Sequence, residues 1–159
     1  MAAPTGQPTT TNTSTGIRVN DLCRYLGLDR ALLDDTDQYH KEAQKAHRKL
    51  LKKHQKYVTS DFVLNELINY LYGMGPANKA QATINALLSR ADAGTHLLIH
   101  VSPAQFRHAW ELRQRYDDKP HISFVDFTSM VVMQDLGISA IFTGDSHFQQ
   151  VNLGFRLHP

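Results

Sequence analysis

The segment "FVDFTSMVVMQDLGISAIFTGDSHF" (residues 124–148) combines a high apolar content with acidic residues. Its apolar spacing predicts a helix over 123–136 and, after a glycine turn, a strand over 138–143. Both elements are apolar enough to lie deep in a core, yet Asp126 interrupts the helix and Asp145 follows the strand. Because burying a carboxylate without a partner costs free energy, these two acids need an explanation.

On both sides of residues 124–148, predicted short strands alternate with predicted helices along most of the chain. This alternation predicts a mostly parallel sheet covered by helices on both faces. Ligands of such sheets bind beyond the carboxyl ends of the strands, which is where Asp145 stands. The other predicted elements are a weak strand at 17–20, a helical pattern through Leu22, Leu26, Leu32 and Leu33, a basic helix over 37–56, strands at 57–60, 96–102 and 154–158, and helices over 61–73, over 77–94 and after Ser102.

Length and composition are typical of one soluble globular domain. The chain has 159 residues, of which 42% are hydrophobic and 20% charged, so it can build a substantial core. Residues 1–16 are rich in Thr, Gly and Pro, and we expect a disordered tail or a remnant outside the fold, with the domain spanning 17–159.

No segment resembles a membrane span or a signal peptide. A membrane helix needs roughly 20 consecutive apolar residues, and no run in the chain approaches that length. Cys23 is the only cysteine, so no intrachain disulfide can form and a reducing compartment fits. We therefore expect a cytoplasmic protein.

Positive charge concentrates in "KEAQKAHRKLLKKHQK" (residues 41–56), which holds seven of the 17 Lys and Arg residues. Such a stripe attracts a polyanion, although charge alone favours an ordinary solvated helix face. His40, His47 and His54 recur every seven residues, and two helical turns separate neighbours by roughly 10 Å, so we reject a zinc site there. The candidate nucleic-acid contacts are Lys45, Arg48, Lys49, Lys52 and Lys53.

Each of three acids also has a purely structural explanation. "SFVD" fits a capping box in which Asp126 reaches back to the backbone N–H of the capping serine, whereas the apolar row at Met130 and Met133 argues for a function. Asp145 follows a glycine after a strand, which is ordinary turn chemistry. Glu66 lies on the polar side of its helix, where glutamates usually face solvent.

Taken together, the segments resemble the PIN-domain family of metal-dependent ribonucleases, and within it the VapC-type toxins of type II toxin–antitoxin pairs. The resemblance runs from about Ala31 to the C-terminus and implies a three-layer α/β/α, Rossmann-like fold with a mostly parallel central sheet. The segments that carry it are "ALLDDTDQYHKEA" (31–43), "YVTSDFVLNELINYLYG" (57–73), the stretch 124–148 and "GFRL" (154–157).

The resemblance implies a cluster of acids that holds Mg²⁺ or Mn²⁺. Glu66 takes the place of the family's helix glutamate, Asp126 that of the acid opening the later helix, and Asp145 that of the acid after the last core strand. Thr143 fits the hydroxyl position that supports the last acid. Carboxylates brought close together repel, and a hard divalent cation relieves that repulsion. We therefore expect an endoribonuclease that acts on RNA, and the resemblance adds a homodimer and an antitoxin partner.

The sequence departs from the family pattern at the first strand. The family begins with an apolar strand ending in Asp, and that register falls near Tyr25, where a helical pattern is predicted. Asp21, after "IRVN", is taken as the substitute metal ligand, and Asp29 is set aside because no strand is predicted before it. The departure keeps open a catalytically degenerate PIN domain that binds RNA or protein. A phosphoryl-transfer enzyme would need a D-x-D element after the first strand, and none follows residues 17–20.

Overall fold

The computed structural model describes residues 23–26 as backbone, residues 41, 45 and 48, and residues 56–143 and 146–158. Within this part of the chain five strands form one sheet in the order β3–β2–β1–β4–β5, and every neighbouring pair is parallel. The parallel sheet predicted from the sequence is therefore confirmed. The strands are β1 (Cys23–Leu26), β2 (Lys56–Ser60), β3 (His96–Ile99), β4 (Ala140–Phe142) and β5 (Arg156–His158).

Helices cover both faces of this sheet, as predicted. The chain moves from β1 to β3 in one direction across the sheet and then returns past β1 to β4. Because crossovers between parallel strands are right-handed, connections that run in opposite directions lie on opposite faces, which gives three layers. The helices are α1 (Asp61–Met74), α2 (Ala77–Asp92), α3 (Pro103–Arg115), α4 (Phe124–Asp135) and α5 (His147–Gln150), and Lys41, Lys45 and Arg48 are also helical.

Three serines start the helices at the positions that the sequence predicts. The Val63 N–H donates to Ser60 Oγ at 3.3 Å, which caps α1 directly after β2. Ser102 caps α3, whose first residue is Pro103, and Ser123 caps α4. Each cap satisfies an N–H that has no partner within its own helix.

The strand β1 overturns the helical pattern predicted through Leu22 and Leu26. Residues Cys23–Leu26 pair with β2 on one side and with β4 on the other. A segment as short as "CRYL" fits a strand or a helix equally well by periodicity, and here the pairing on both edges decides. A strand therefore lies near Tyr25, where the family pattern places its first strand. Asp29, which was set aside for lack of a preceding strand, does follow one.

The basic helix also ends earlier than predicted. We expected it to run to Lys56, but Lys56 is the first residue of β2. The predicted strand at 17–20 and the predicted tail at 1–16 lie outside the described residues.

The core centres on α4. Every residue from Phe127 to Met133 is buried, including the polar Thr128 and Ser129, so this helix is enclosed by neighbouring elements. α3 and α1 both pack against it. The other members of the core include Val58, Val63, Ala109, Leu112, Ile122, Ile141 and Phe148.

The turn from α4 into β4 depends on Gly137. Its φ of 66° is left-handed, a conformation that glycine adopts without steric cost. The Gly137 N–H donates to the carbonyl of Gln134 at 3.1 Å, and the Ile138 N–H donates to the carbonyl of Met133 at 2.8 Å. These two bonds form a Schellman motif, which ends α4 and turns the chain toward β4.

Candidate active site at the carboxyl edge of the sheet

The strand order places a crevice between β1 and β4. The chain leaves β1 toward β2 and approaches β4 from the opposite side, so the order reverses between these two neighbours. Open α/β sheets bind ligands at such a reversal, beyond the carboxyl ends of the strands. Leu26 and Phe142, the last residues of β1 and β4, are direct partners in the parallel register. The two strands therefore end at the same level.

Asp126 lies in the first turn of α4, on this side of the sheet. The Ser123 N–H donates to Asp126 Oδ2 at 2.9 Å, and the Ser123 hydroxyl lies 3.0 Å from the same oxygen. The Asp126 N–H donates back to Ser123 Oγ at 3.1 Å. The capping box that the sequence offered as a structural role for Asp126 is therefore present.

A histidine from the other side of the crevice meets the same oxygen. His147 opens α5, just beyond β4, and its Nδ1 lies 3.3 Å from Asp126 Oδ2. Both side chains are 21% exposed, so the contact is only partly accessible to water. The contact joins the start of α4 to the segment that follows β4, and it fixes Asp126 at the carboxyl edge of the sheet.

His147 was not among the site residues predicted from the sequence. The signal in the sequence is its position two residues after Asp145 in "GDSHF", which places it beyond a strand end. Its partner Asp126 is 21 residues away along the chain, and nothing in local periodicity connects the two.

A second histidine packs against the first. The rings of His121 and His147 have centroids 5.1 Å apart, and His121 Nε2 lies 2.8 Å from Gln150 Oε1. His121 belongs to the loop before α4, whereas Gln150 is the last residue of α5. The two segments are therefore held together at two points around the Asp126 carboxylate.

α1 brings Glu66 toward the same edge. Glu66 is exposed and follows Phe62 by one helical turn, so the two side chains share a face of α1. The Phe62 ring lies 6.3 Å from the ring of Phe124, the first residue of α4. The face of α1 that carries Glu66 is thus the face next to the start of α4.

Asp61, at the start of α1, has a structural role. Its Oδ1 accepts a hydrogen bond from the Val101 N–H at 3.1 Å, and its Oδ2 lies 3.4 Å from His100 Nδ1. The start of α1 is thereby tied to the loop that follows β3, which keeps the carboxyl ends of β2 and β3 in place.

An aromatic surface borders this edge. The rings of Phe62, Phe106 and Phe124 form a cluster with centroid separations of 5.0 to 6.3 Å. Phe106 is 46% exposed, and Trp110, one turn further along α3, is 53% exposed. We call Phe106 and Trp110 the α3 aromatic surface.

The family model for the PIN domain matches residues 31–153. The chain belongs to the PIN-domain family. Since a domain of this family is shown over most of the chain, the resemblance inferred from the sequence is confirmed, and so is the α/β fold.

Two solved structures are similar to this PIN domain. The Mycobacterium tuberculosis toxin VapC20, described as cleaving the sarcin–ricin loop, matches at 27% identity with a TM-score of 0.68, covering 83% of this chain and 95% of the toxin. VapBC-1 from nontypeable Haemophilus influenzae matches at 14% identity with a TM-score of 0.62, covering 86% of this chain and 97% of that one, and supports the fold alone. No curated protein matches the chain.

Several predicted site residues of the PIN domain are described by the structure. Thr143, directly after β4, is buried, with 6% of its surface exposed. Lys45 and Arg48 are helical and exposed, and their spacing places them on one side of the helix. The remaining predicted residues lie outside the described part of the chain: Asp21, Lys49, Lys52, Lys53 and Asp145, together with His40, His47 and His54.

The predicted metal cluster is only partly within the described residues. Among those residues, no group of three or more His, Cys, Asp or Glu side chains is close enough to hold a metal ion. Asp145 and Asp29 lie outside the described residues, so the cluster stays a prediction. Within the same part of the chain, no helix combines the length and apolar character needed to cross a bilayer.

Proposed function

We propose that this PIN domain is a Mg²⁺- or Mn²⁺-dependent endoribonuclease and the toxin of a toxin–antitoxin pair. The observation that carries the proposal is the contact between Asp126 and His147. It brings the acid-bearing first turn of α4 to the segment that follows Asp145, at the point where the strand order reverses. The similarity to VapC20, named as a toxin that cleaves the sarcin–ricin loop, supports RNA as the substrate.

The register of the sheet favours Asp29 as the first acid of the cluster. Leu26 and Phe142 are paired. Asp29 comes three residues after Leu26, and Asp145 comes three residues after Phe142. Three residues span at most about 10 Å, so both carboxylates can reach the mouth of one crevice. Asp21, the metal ligand predicted from the sequence in place of a first-strand Asp, comes two residues before β1 begins. Mutation of Asp21 and of Asp29 distinguishes the two candidates.

The oxygen atoms on offer suit a hard divalent cation. In its contacts with described residues, Asp126 uses only Oδ2, which leaves Oδ1 available. Glu66, Asp29 and Asp145 would add further carboxylate oxygens, the ligands that Mg²⁺ and Mn²⁺ prefer. Such a cation, when bound, activates water and stabilises charge on the attacked phosphate.

The basic helix would hold the RNA backbone next to these acids. Lys45 and Arg48 are exposed on one side of it, and phosphate contacts of this kind give affinity without sequence choice. Lys49, Lys52 and Lys53 are proposed to extend the same contact surface.

The catalytically degenerate alternative was motivated by the first-strand Asp, which the sequence does not clearly provide. β1 supplies that strand between β2 and β4, in the family's register near Tyr25. The presence of this strand supports the nuclease, and Asp29 is proposed as the acid that follows it.

The partners proposed are RNA, an antitoxin and a second copy of the chain. The solved neighbour VapBC-1 has the same fold, and the VapC resemblance implies an antitoxin segment in the active groove. The α3 aromatic surface supports a homodimer, because contiguous exposed aromatic side chains mark protein interfaces.

The deciding experiment is RNA cleavage by the purified protein with and without Mn²⁺. We expect cleavage that a chelator abolishes and that the Asp145→Asn variant lacks. Asp135→Asn is the matched control, since Asp135 lies at the far end of α4, where it accepts a hydrogen bond from Gln105 Nε2 at 2.9 Å. Cleavage by Asp145→Asn at the rate of the Asp135→Asn control would exclude the proposed mechanism.

A further inference from the structure

One oxygen of Asp126 receives all of the hydrogen bonds that this side chain accepts from described residues. Oδ2 faces the Ser123 N–H at 2.9 Å, the Ser123 hydroxyl at 3.0 Å and His147 Nδ1 at 3.3 Å. Three donors around one carboxylate oxygen use up its lone-pair directions. Oδ1, which makes no hydrogen bond to a described residue, is therefore the oxygen better placed to bind a cation.

The proton on His147 can be assigned from its partner. An ionised carboxylate only accepts hydrogen bonds, so Nδ1 must carry the proton in the contact with Asp126 Oδ2. The His121 ring at 5.1 Å limits the rotation of the His147 ring, and His121 is itself held by Gln150 at 2.8 Å. The imidazole is thus oriented on both sides.

The two groups that hold Oδ2 come from different segments. Ser123 belongs to the loop before α4, and its contacts hold the carboxylate against the helix start. His147 opens α5 and approaches from the β4 side of the crevice. Of these two groups, the histidine is the one that connects the Asp126 carboxylate to the segment after β4.

We propose that His147 is a positioning residue of the metal site. Its Nδ1–H holds Asp126 Oδ2, so that Oδ1 would be the oxygen that Asp126 offers to a cation. The inference rests on the proposed function and assigns to that function a residue outside the acid cluster. Hydrogen-bond partners of ligating groups typically contribute about 10- to 100-fold in metal affinity.

The test is calorimetric titration of the full-length protein with Mn²⁺, using three substitutions of His147. His147→Asn places an amide N–H close to the position of Nδ1, so we expect Mn²⁺ affinity close to that of the parent. His147→Ala removes the donor, and His147→Gln carries its amide one bond too far, so both should bind about 10- to 100-fold more weakly. His108→Ala is the control, because His108 is an exposed histidine on α3.

A second measurement uses the metal-free protein. The ring ¹⁵N shifts of His147 should report the Nδ1–H tautomer, and they should change in Asp126→Asn. Thermal unfolding without metal separates positioning from folding, because loss of a merely structural contact lowers the melting temperature of His147→Ala without weakening Mn²⁺ binding.

The outcomes separate this inference from the proposed function. A parent that binds Mn²⁺ and a His147→Ala variant that binds it equally well would overturn the role of His147 and leave the nuclease intact. An Nε2–H tautomer in the metal-free protein would also overturn it. A parent that neither binds Mn²⁺ nor cleaves RNA would overturn the function itself, and the inference with it.

Discussion

Asp126 illustrates how one residue can serve a structural role and the proposed chemical role. Its Oδ2 completes the capping box with Ser123, and its Oδ1 makes no hydrogen bond to a described residue. The sequence presented these two roles as alternatives, but the cap leaves room for both. The cap uses Oδ2, and the proposed metal site would use Oδ1 of the same carboxylate.

The two roles of Asp126 are separable by mutation. Asp126→Asn keeps an oxygen that accepts from Ser123, so we expect a stability loss below about 1 kcal/mol but a loss of cleavage of about 100-fold or more. Ser123→Ala removes the cap, should destabilise by about 1 kcal/mol and should retain cleavage. Urea unfolding and Mn²⁺-dependent cleavage of both variants measure this. Equal activity of the two variants would show that the carboxylate is only a cap.

The first acid can be identified in the same way. Because Asp29 follows β1 as Asp145 follows β4, we expect Asp29→Asn to lower Mn²⁺ affinity and to abolish cleavage. Asp21→Asn, before the strand, should leave both unchanged. Titration calorimetry on the pair provides the comparison, and loss of binding in Asp21→Asn alone would restore Asp21 as the ligand.

Among the secondary-structure elements, the caps at helix starts were predictable from the sequence, but the pairing of strands was not. The serine caps of α1, α3 and α4 were predicted because a cap and the N–H that it satisfies are within one turn of each other. β1 was missed because its four residues become a strand only through neighbours more than 30 and 110 positions away, at Tyr57 and Ile141.

The Schellman turn between α4 and β4 yields a prediction about stability. Ala at position 137 must adopt the φ of 66° that Gly137 has, so we expect Gly137→Ala to destabilise by roughly 1–2 kcal/mol. Gly73→Ala is the matched control, since Gly73 lies inside α1 and a Cβ there would meet nothing within 4 Å. That variant should stabilise by about 0.5–1 kcal/mol. Denaturant unfolding measures both, and a neutral Gly137→Ala would mean that the turn relaxes.

At the scale of the whole molecule, the fold class was predictable but the strand order was not. Alternating strands and helices indicate a parallel sheet, yet they do not specify which strands are neighbours. The position of β1 between β2 and β4 creates the reversal of order, and that reversal determines which acids can meet. The contact of Asp126 with His147 is likewise a consequence of the complete topology.

The α3 aromatic surface gives the prediction at this scale. Trp110 is 53% exposed. A charged side chain at this position would make burial of the surface against a second copy of the chain costly. We expect the parent to be a dimer by light scattering after gel filtration, and Trp110→Glu to be a monomer that still folds. Leu88→Glu is the control, because Leu88 is an exposed apolar residue on α2, on the opposite face of the sheet.

The same experiment relates assembly to catalysis. The Asp126 site lies at the carboxyl edge of a single chain, so monomeric Trp110→Glu should still bind Mn²⁺. If RNA reaches across two copies, its cleavage should fall while metal binding stays unchanged. A monomeric parent would contradict the homodimer, and a dimeric Trp110→Glu would place the interface on another surface.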